Sequence, residues 1–315
     1  MRPLPRPSPQ RTGCASPATR TARNSSRTSE RPASLANWSV GSGIASCSLS
    51  YLPRRRRLAT PPFWAQPGQR LAVYCLGPLE IYRDHHNLGP LPGRRVRAVL
   101  QYLVTHRATP VPREVLMERF WPEATASAAR NNLNVAIHGL RRYLDDSQGV
   151  RFADGCYALQ PDLWVDIEEF ERLLASARHA ERSGRLDAAA HAWKAAEALY
   201  RGPLFEDDPY EEWVFARRRA LQDAYLAALE RLAAHAWSSG DWMGCATACM
   251  KILQLEPYRE GAQRDLMRYY ARNGFHELAL RQYHECVQAL RSGLDATPSP
   301  ETTNLYERIR RHEPV

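Results

Sequence analysis

Residues 131–144 read NNLNVAIHGLRRYL. Leu133, Ile137, Leu140 and Leu144 recur at offsets of 0, 4, 7 and 11, which is one apolar stripe of a helix. Wound onto a helical wheel, Asn131, Asn134, Val135, His138 and Arg142 fall away from that stripe. Asparagine is a mediocre helix former, so three in one helix ask for a reason beyond propensity. Such a face can read base edges. Asn pairs bidentately with adenine, a small aliphatic touches a thymine methyl, and Arg or His reaches guanine or phosphate.

The flanks give this helix a setting. "RLAVYCLGPLEIYRD" (70–84) alternates, is rich in strand formers and is followed by "NLGPLP", so two to four short strands are predicted over 70–92. From Arg94 the period changes, and Val96, Val99, Leu100 and Leu103 make a helical stripe through His106. "ATPVP" breaks it, and Pro112 is placed in the first turn of a short helix, "REVLMERFW". Ser127 is placed as the N-cap of the next helix. "VRFADGCYALQ" (151–160 after Val150) then reads as a hairpin turning at Asp154-Gly155. Strands, helix, helix, turn, helix and hairpin, in that order, predict a winged helix-turn-helix, an α+β unit over residues 66–160, with Asp154-Gly155 and Arg151 at the wing.

Residues 161–315 are predicted helical almost throughout, and they repeat. Gly184 is followed at +5, +9 and +12 by Ala189, Trp193 and Ala196; Gly274 by Ala279, Tyr283 and Cys286; Gly240 by Cys245, Cys249 and Ile252. Gly240 and Gly274 stand one tetratricopeptide (TPR) period apart. A small residue lets two helices approach, and a larger one fills the gap beside it. The longer step from Gly184 to Gly240 implies an insertion, placed at "RGPLFEDDPYEEW" (201–213) and followed by a long helix through Trp237. The fold class is therefore mainly α: a winged helix followed by an all-α TPR-like domain.

Charge divides the chain the same way. Residues 1–65 carry 11 Arg and one acid, Glu30; residues 66–160 carry 12 Arg against 8 acids; the remainder is mildly acidic. A basic unit beside an acidic one suggests a polyanion for the first and another partner for the second. Residues 1–65 are too poor in large apolar side chains to offset chain entropy and are predicted to be a disordered leader, its "RRRR" (54–57) a solvated run.

Other chemistry finds little support. There is no Walker A loop, G-x-G-x-x-G, G-x-S-x-G or H-E-x-x-H, so no enzyme and no cofactor is expected. No run of apolar residues is long enough for a membrane span. Seven scattered cysteines argue against a secreted disulfide framework and for the cytoplasm. Cys245 and Cys249 lie one helical turn apart, but no second Cys/His pair has ligand spacing, so with Cys286 they read as packing residues. His85-His86 has no third ligand nearby. "FEDDPYEE" lacks the alternating carboxylates and glycine of a calcium loop and reads as a solvated loop.

Taken together, "LAVYCLGPLEIY", "LPGRRVRAVLQYLVTHRATPVPREVLMERFWPE", "ARNNLNVAIHGLRRYLDD" and "FADGCYALQPDLWVDIEEFERLL" resemble the SARP-type transcriptional activators, which join an OmpR-like winged helix to a bacterial transcriptional activator domain (BTAD). "AAEALYRGPLFEDDPYEEW", "LEPYREGAQRDLMRYYARNGFHELALRQYHEC" and "SPETTNLYERI" are similar to the BTAD part. The resemblance runs from about Leu71 to about Arg310. It implies a cytoplasmic, nucleoid-associated activator that binds promoter repeats in double-stranded DNA as a homodimer and recruits RNA polymerase. Carried onto this chain, Asn131, Asn132, Asn134, Val135, His138, Arg141 and Arg142 are the candidate DNA contacts of the recognition helix, with Arg151 at the wing. "EATA" (123–126) corresponds to the loop that faces polymerase. Gly139 falls on the supposed DNA side where relatives carry larger residues. With the modest charge of 66–160, it supports an alternative: a protein-interaction adapter whose DNA-binding unit is degenerate.

Overall fold

The computed structural model describes residues 71–84, 86–146, 149–209 and 211–315. The leader over 1–65, its arginine run and His85 lie outside the described residues.

The chain opens with β1 (Leu71–Tyr74), β2 (Glu80–Arg83) and β3 (His86–Asn87). Next come α1 (Arg94–Thr105), β4 (Val111–Pro112), α2 (Arg113–Phe120), α3 (Ala126–Tyr143), β5 (Val150–Ala153), β6 (Cys156–Leu159) and β7 (Trp164–Val165). The first three strands form an antiparallel meander, with Leu71 opposite Arg83 and Tyr74 opposite Glu80. β7 returns from beyond residue 160 to pair in parallel with β1. All four residues of β1 are buried, so this strand is covered on both faces and does not alternate as a half-exposed strand would.

Val96, Val99, Leu100 and Leu103 of α1 are buried as their spacing demands, and α1 packs on α3. Two helix starts differ from expectation. Pro112 precedes α2 and pairs with Cys156 in the small sheet, where its missing N–H costs nothing at a strand end. Thr125, not Ser127, caps α3: its backbone is extended and its Oγ1 accepts from the amide of Ala128, so the chain is already helical when it reaches Ser127. The hairpin is as expected. β5 and β6 pair antiparallel, and Asp154 and Gly155 both have left-handed backbones (φ 51° and 77°), as a tight two-residue turn requires.

Seven helices follow: α4 (Asp166–Arg182), α5 (Leu186–Leu199), α6 (Phe215–Ser239), α7 (Trp242–Leu255), α8 (Glu260–Arg272), α9 (His276–Leu294) and α10 (Pro300–Arg310). They stack as antiparallel pairs α4/α5, α6/α7 and α8/α9, with α10 against the last pair. The three repeat glycines end α4, α6 and α8 in left-handed conformation, and the small residues at +5 (Ala189, Cys245, Ala279) are all buried. Gly240 has φ 79°, and an added Cβ would meet nothing within 4 Å. Gly240→Ala is therefore expected to cost roughly 1–2 kcal/mol from backbone strain alone, read as a lowered urea midpoint with unchanged slope.

The insertion between α5 and α6 is a strap over the N-terminal sheet. Its main chain pairs with the end of β1 and the turn after it: Gly77 N–H donates to Pro203 O, Arg201 N–H to Leu76 O, Phe205 N–H to Cys75 O and Glu206 N–H to Gly77 O. Leu204 and Phe205 are fully buried there. Arg201 Nη1 meets Glu80 Oε2 at 2.6 Å. Asp207 and Asp208 do not form the solvated loop their sequence suggested. Arg97 of α1 pairs with both (3.0 and 3.3 Å), and Gln101 Nε2 donates to Asp208 at 2.6 Å. Beneath the strap, Asp166 at the start of α4 is wholly buried and accepts from the amides of Cys75 and Leu76 (both 2.8 Å) and from the Cys75 thiol. Burial pushes its carboxyl above the ordinary range, while those donated bonds pull the other way.

Candidate nucleic-acid interface

α3 divides cleanly. Ala129, Leu133, Ala136, Ile137 and Leu140 point into the core. Asn131, Asn134, Val135, His138 and Arg142 are exposed along the opposite side, Val135 to 65 %, and Asn132 is exposed at the flank. Thr125 takes the cap, and Ser127 lies on the same exposed side one turn before Asn131, its Oγ 3.3 Å from Thr125 Oγ1. Among the described residues, Asn131, Asn134, His138 and Arg142 make no side-chain hydrogen bond or ion pair, so the row of donors and acceptors is uncommitted. An exposed Val within such a row offers methyl groups and nothing polar.

Two residues that the family resemblance set on the DNA side face other parts of the chain. Arg141 is half-buried, and its Nε and Nη2 donate to the carbonyl of Val150 at 3.0 and 2.6 Å. Its guanidinium ties the end of α3 to the first wing strand. Gly139 is turned toward α1: a Cβ there would lie 3.5 Å from Val96 Cγ2, an ordinary contact. The position therefore faces the packing of α1 against α3, where a methyl group would fit without displacing a neighbour.

The wing is fastened at its other end as well, since Arg113 N–H, at the head of α2, donates to Gly155 O at 2.9 Å. Arg151 and Phe152 are exposed on β5, and Arg151 has no acidic partner among the described residues. Phe152 is packed against Tyr157 (4.6 Å between ring centres), with the Arg113 guanidinium 6.0 Å from its ring. Ser127, Arg113 and Phe152 join the face only in the folded chain. Ser127 was spent as a cap, and Phe152 shares the face of buried Val150, so period alone assigns it to the core. Asp145, the acid nearest the end of α3, is drawn off by Arg83 at 2.9 Å. "EATA" spans the loop between α2 and the first residue of α3. There Arg95, Phe120, Trp121, Pro122, Glu123 and Ala124 line a shallow hollow, with the Arg95 guanidinium 5.9 Å from the indole of Trp121. No helix among the described residues is long and apolar enough to cross a membrane.

Comparison with known proteins places this geometry. Residues 92–152 match the family model described as "Transcriptional regulatory protein, C terminal", and residues 165–310 the one described as "Bacterial transcriptional activator domain". The chain is similar to the transcriptional regulatory protein EmbR of Mycobacterium tuberculosis, 29% identical over 261 residues, which is 78% of this chain and 65% of EmbR. MoaR1 of Mycobacterium tuberculosis is 27% identical (76% of this chain, 79% of MoaR1), and the regulatory protein DnrI of Streptomyces peucetius is 24% identical (78% and 93%). The solved structure of Mycobacterium tuberculosis EmbR in complex with a low-affinity phosphopeptide superposes with a TM-score of 0.63 at 28% identity, covering 78% of this chain and 66% of that one. The chain thus spans about two thirds of EmbR's length. Winged helix, helical repeat, both family matches and all three relatives agree, and the chain belongs to the SARP-type transcriptional regulators.

Proposed function

We propose that this chain binds promoter DNA in a sequence-specific manner and activates transcription. α3 enters the major groove with Asn131, Asn134, Val135 and His138 toward base edges, while Asn132 and Arg142 lie toward the strands. The observation that carries the reading is the uncommitted polar row on α3 beside a wing held at both ends, by Arg141 and by Arg113. In this reading Arg141 positions the wing, and Arg151 approaches the neighbouring backbone or minor groove. Residues 66–160 are the DNA-binding unit and residues 161–315 the regulatory one. Two copies meet on repeated half-sites, and the hollow at Trp121 and "EATA" faces RNA polymerase. Such work belongs in the cytoplasm, at the nucleoid.

The test is binding of the full chain to fragments upstream of its own and neighbouring genes, across a salt series with random competitor DNA. A specific complex that weakens steeply with salt is expected. Asn131→Ala and Arg142→Ala are each expected to cost about 1–3 kcal/mol of binding, the first mainly at one base position. If both bind as the parent does, α3 is not the reading helix. Binding no tighter than to random DNA would transfer the proposal to the adapter reading. That alternative has lost the support it drew from Gly139, which faces Val96.

A further inference from the structure

We propose that Cys245, Cys249 and Asp265 form a site for one thiophilic divalent ion of the zinc–cadmium class, set between α7 and α8. The two thiols lie one turn apart on α7 and are both buried. Asp265 comes from α8, and one ligand atom from each of the three lies within 4.8 Å of the others. Among the described residues no other three His, Cys, Asp or Glu side chains converge this way.

Packing explains Cys245 but not Cys249. Cys245 fills the +5 position of its repeat, where Ala189 and Ala279 stand in the others. Cys249 fills the +9 position, where the other repeats place the large rings of Trp193 and Tyr283. A thiol there gives up most of the volume that the position normally buries, and it faces a second thiol and a carboxylate. Cys286, at a +12 position, is buried and belongs to no such cluster of three ligands among the described residues.

The donor set selects the ion. Two sulfurs and one carboxylate oxygen suit a tetrahedral d10 cation with a fourth position left for water. Calcium and magnesium require more oxygen ligands. Binding releases a proton from each thiol to solvent and forms two sulfur–metal bonds and one oxygen–metal bond, with nothing oxidised. Asp265 is one-third exposed, which opens a path from solvent, and Arg268 holds its Oδ1 at 2.8 Å. That guanidinium offsets the excess negative charge of three anionic ligands around a divalent ion. Because α7 closes one repeat and α8 opens the next, a bound ion would staple the two repeats together.

The test uses the full chain, reduced and kept under argon. Cadmium is titrated in while the sulfur-to-metal charge-transfer absorbance is followed, zinc is used as competitor, and thermal unfolding is recorded with and without metal. One equivalent is expected to bind, to produce the thiolate band and to raise Tm. Cys245→Ser and Cys249→Ser should abolish the band, and Cys286→Ser should leave it. Asp265→Asn, on the surface and not expected to disturb folding, should keep the band but weaken binding by at least about tenfold. No stoichiometric band in the parent would overturn the proposal. So would a band that survives in the Cys245→Ser, Cys249→Ser double variant, or unaltered affinity in Asp265→Asn.

Discussion

Asp166→Ala is expected to destabilise the protein by about 3–5 kcal/mol. The carboxylate is wholly buried and takes both main-chain amides at the end of β1, each at 2.8 Å. Alanine leaves two buried N–H groups without an acceptor, and each orphan costs roughly 1–3 kcal/mol. The Cys75 thiol also loses its partner, but a thiol is a weak donor and adds little. Cys75→Ala should consequently be far milder than Asp166→Ala, which separates the amides from the sulfur. Thermal unfolding checks this: a fall in Tm of roughly 10 °C is expected for Asp166→Ala. A fall as small as that of Cys75→Ala would mean water reaches the vacated amides. Asp166 opens α4 and the amides end β1, so the same experiment reports on the tie between the helical part and the winged helix.

Arg201→Ala should cost a similar amount, about 3–5 kcal/mol, for the opposite electrostatic reason. Arg201 and Glu80 are 13 % and 10 % exposed at their side chains and meet at 2.6 Å. Arg201 also donates to Pro78 O and lies 5.1 Å from the Tyr74 ring. Truncation strands the Glu80 charge under the strap, and stranding a buried charge costs more than the pair contributes. The double variant Glu80→Leu, Arg201→Met removes both charges and keeps the volume. It is expected to regain most of the loss. Urea unfolding of the two variants decides the matter: if the double variant is no better than Arg201→Ala, then packing against Tyr74, and not the abandoned carboxylate, explains the loss.

Most of the elements were legible because their signals are local. The Leu/Ile stripe of α3, the Asp-Gly turn and the three repeat glycines each depend on residues a few positions apart. What was not legible depends on distant partners. Thr125 and Ser127 both carry a capping oxygen, and only the path of the chain out of α2 decides which one caps. A helical wheel puts Arg141 at the edge of the polar face but cannot show the Val150 carbonyl that claims it. Gly139 looked like a gap on the outer face because the wheel does not contain Val96 of α1. "FEDDPYEE" read as solvated because its cations, Arg94 and Arg97, stand about a hundred residues earlier in the chain. Spacing counted within one segment could not show that Asp265, on the next helix, lies beside Cys245 and Cys249.

The strap sets a rule for anyone who would build chimaeras from these regulators. A graft cut near residue 160 appears clean in sequence, since it falls between the wing hairpin and the helical run. Yet it would put 201–208 and Asp166 in one parent and their main-chain partners, Cys75 to Gly77, in the other. Backbone pairing tolerates a change of side chains, so Pro203 to Glu206 can meet a foreign turn of the same shape. The side-chain ties cannot be mixed so freely. Glu80 with Arg201, and Arg97 and Gln101 with Asp207 and Asp208, have to travel as matched sets, or the recipient inherits an unpaired charge beneath its new half.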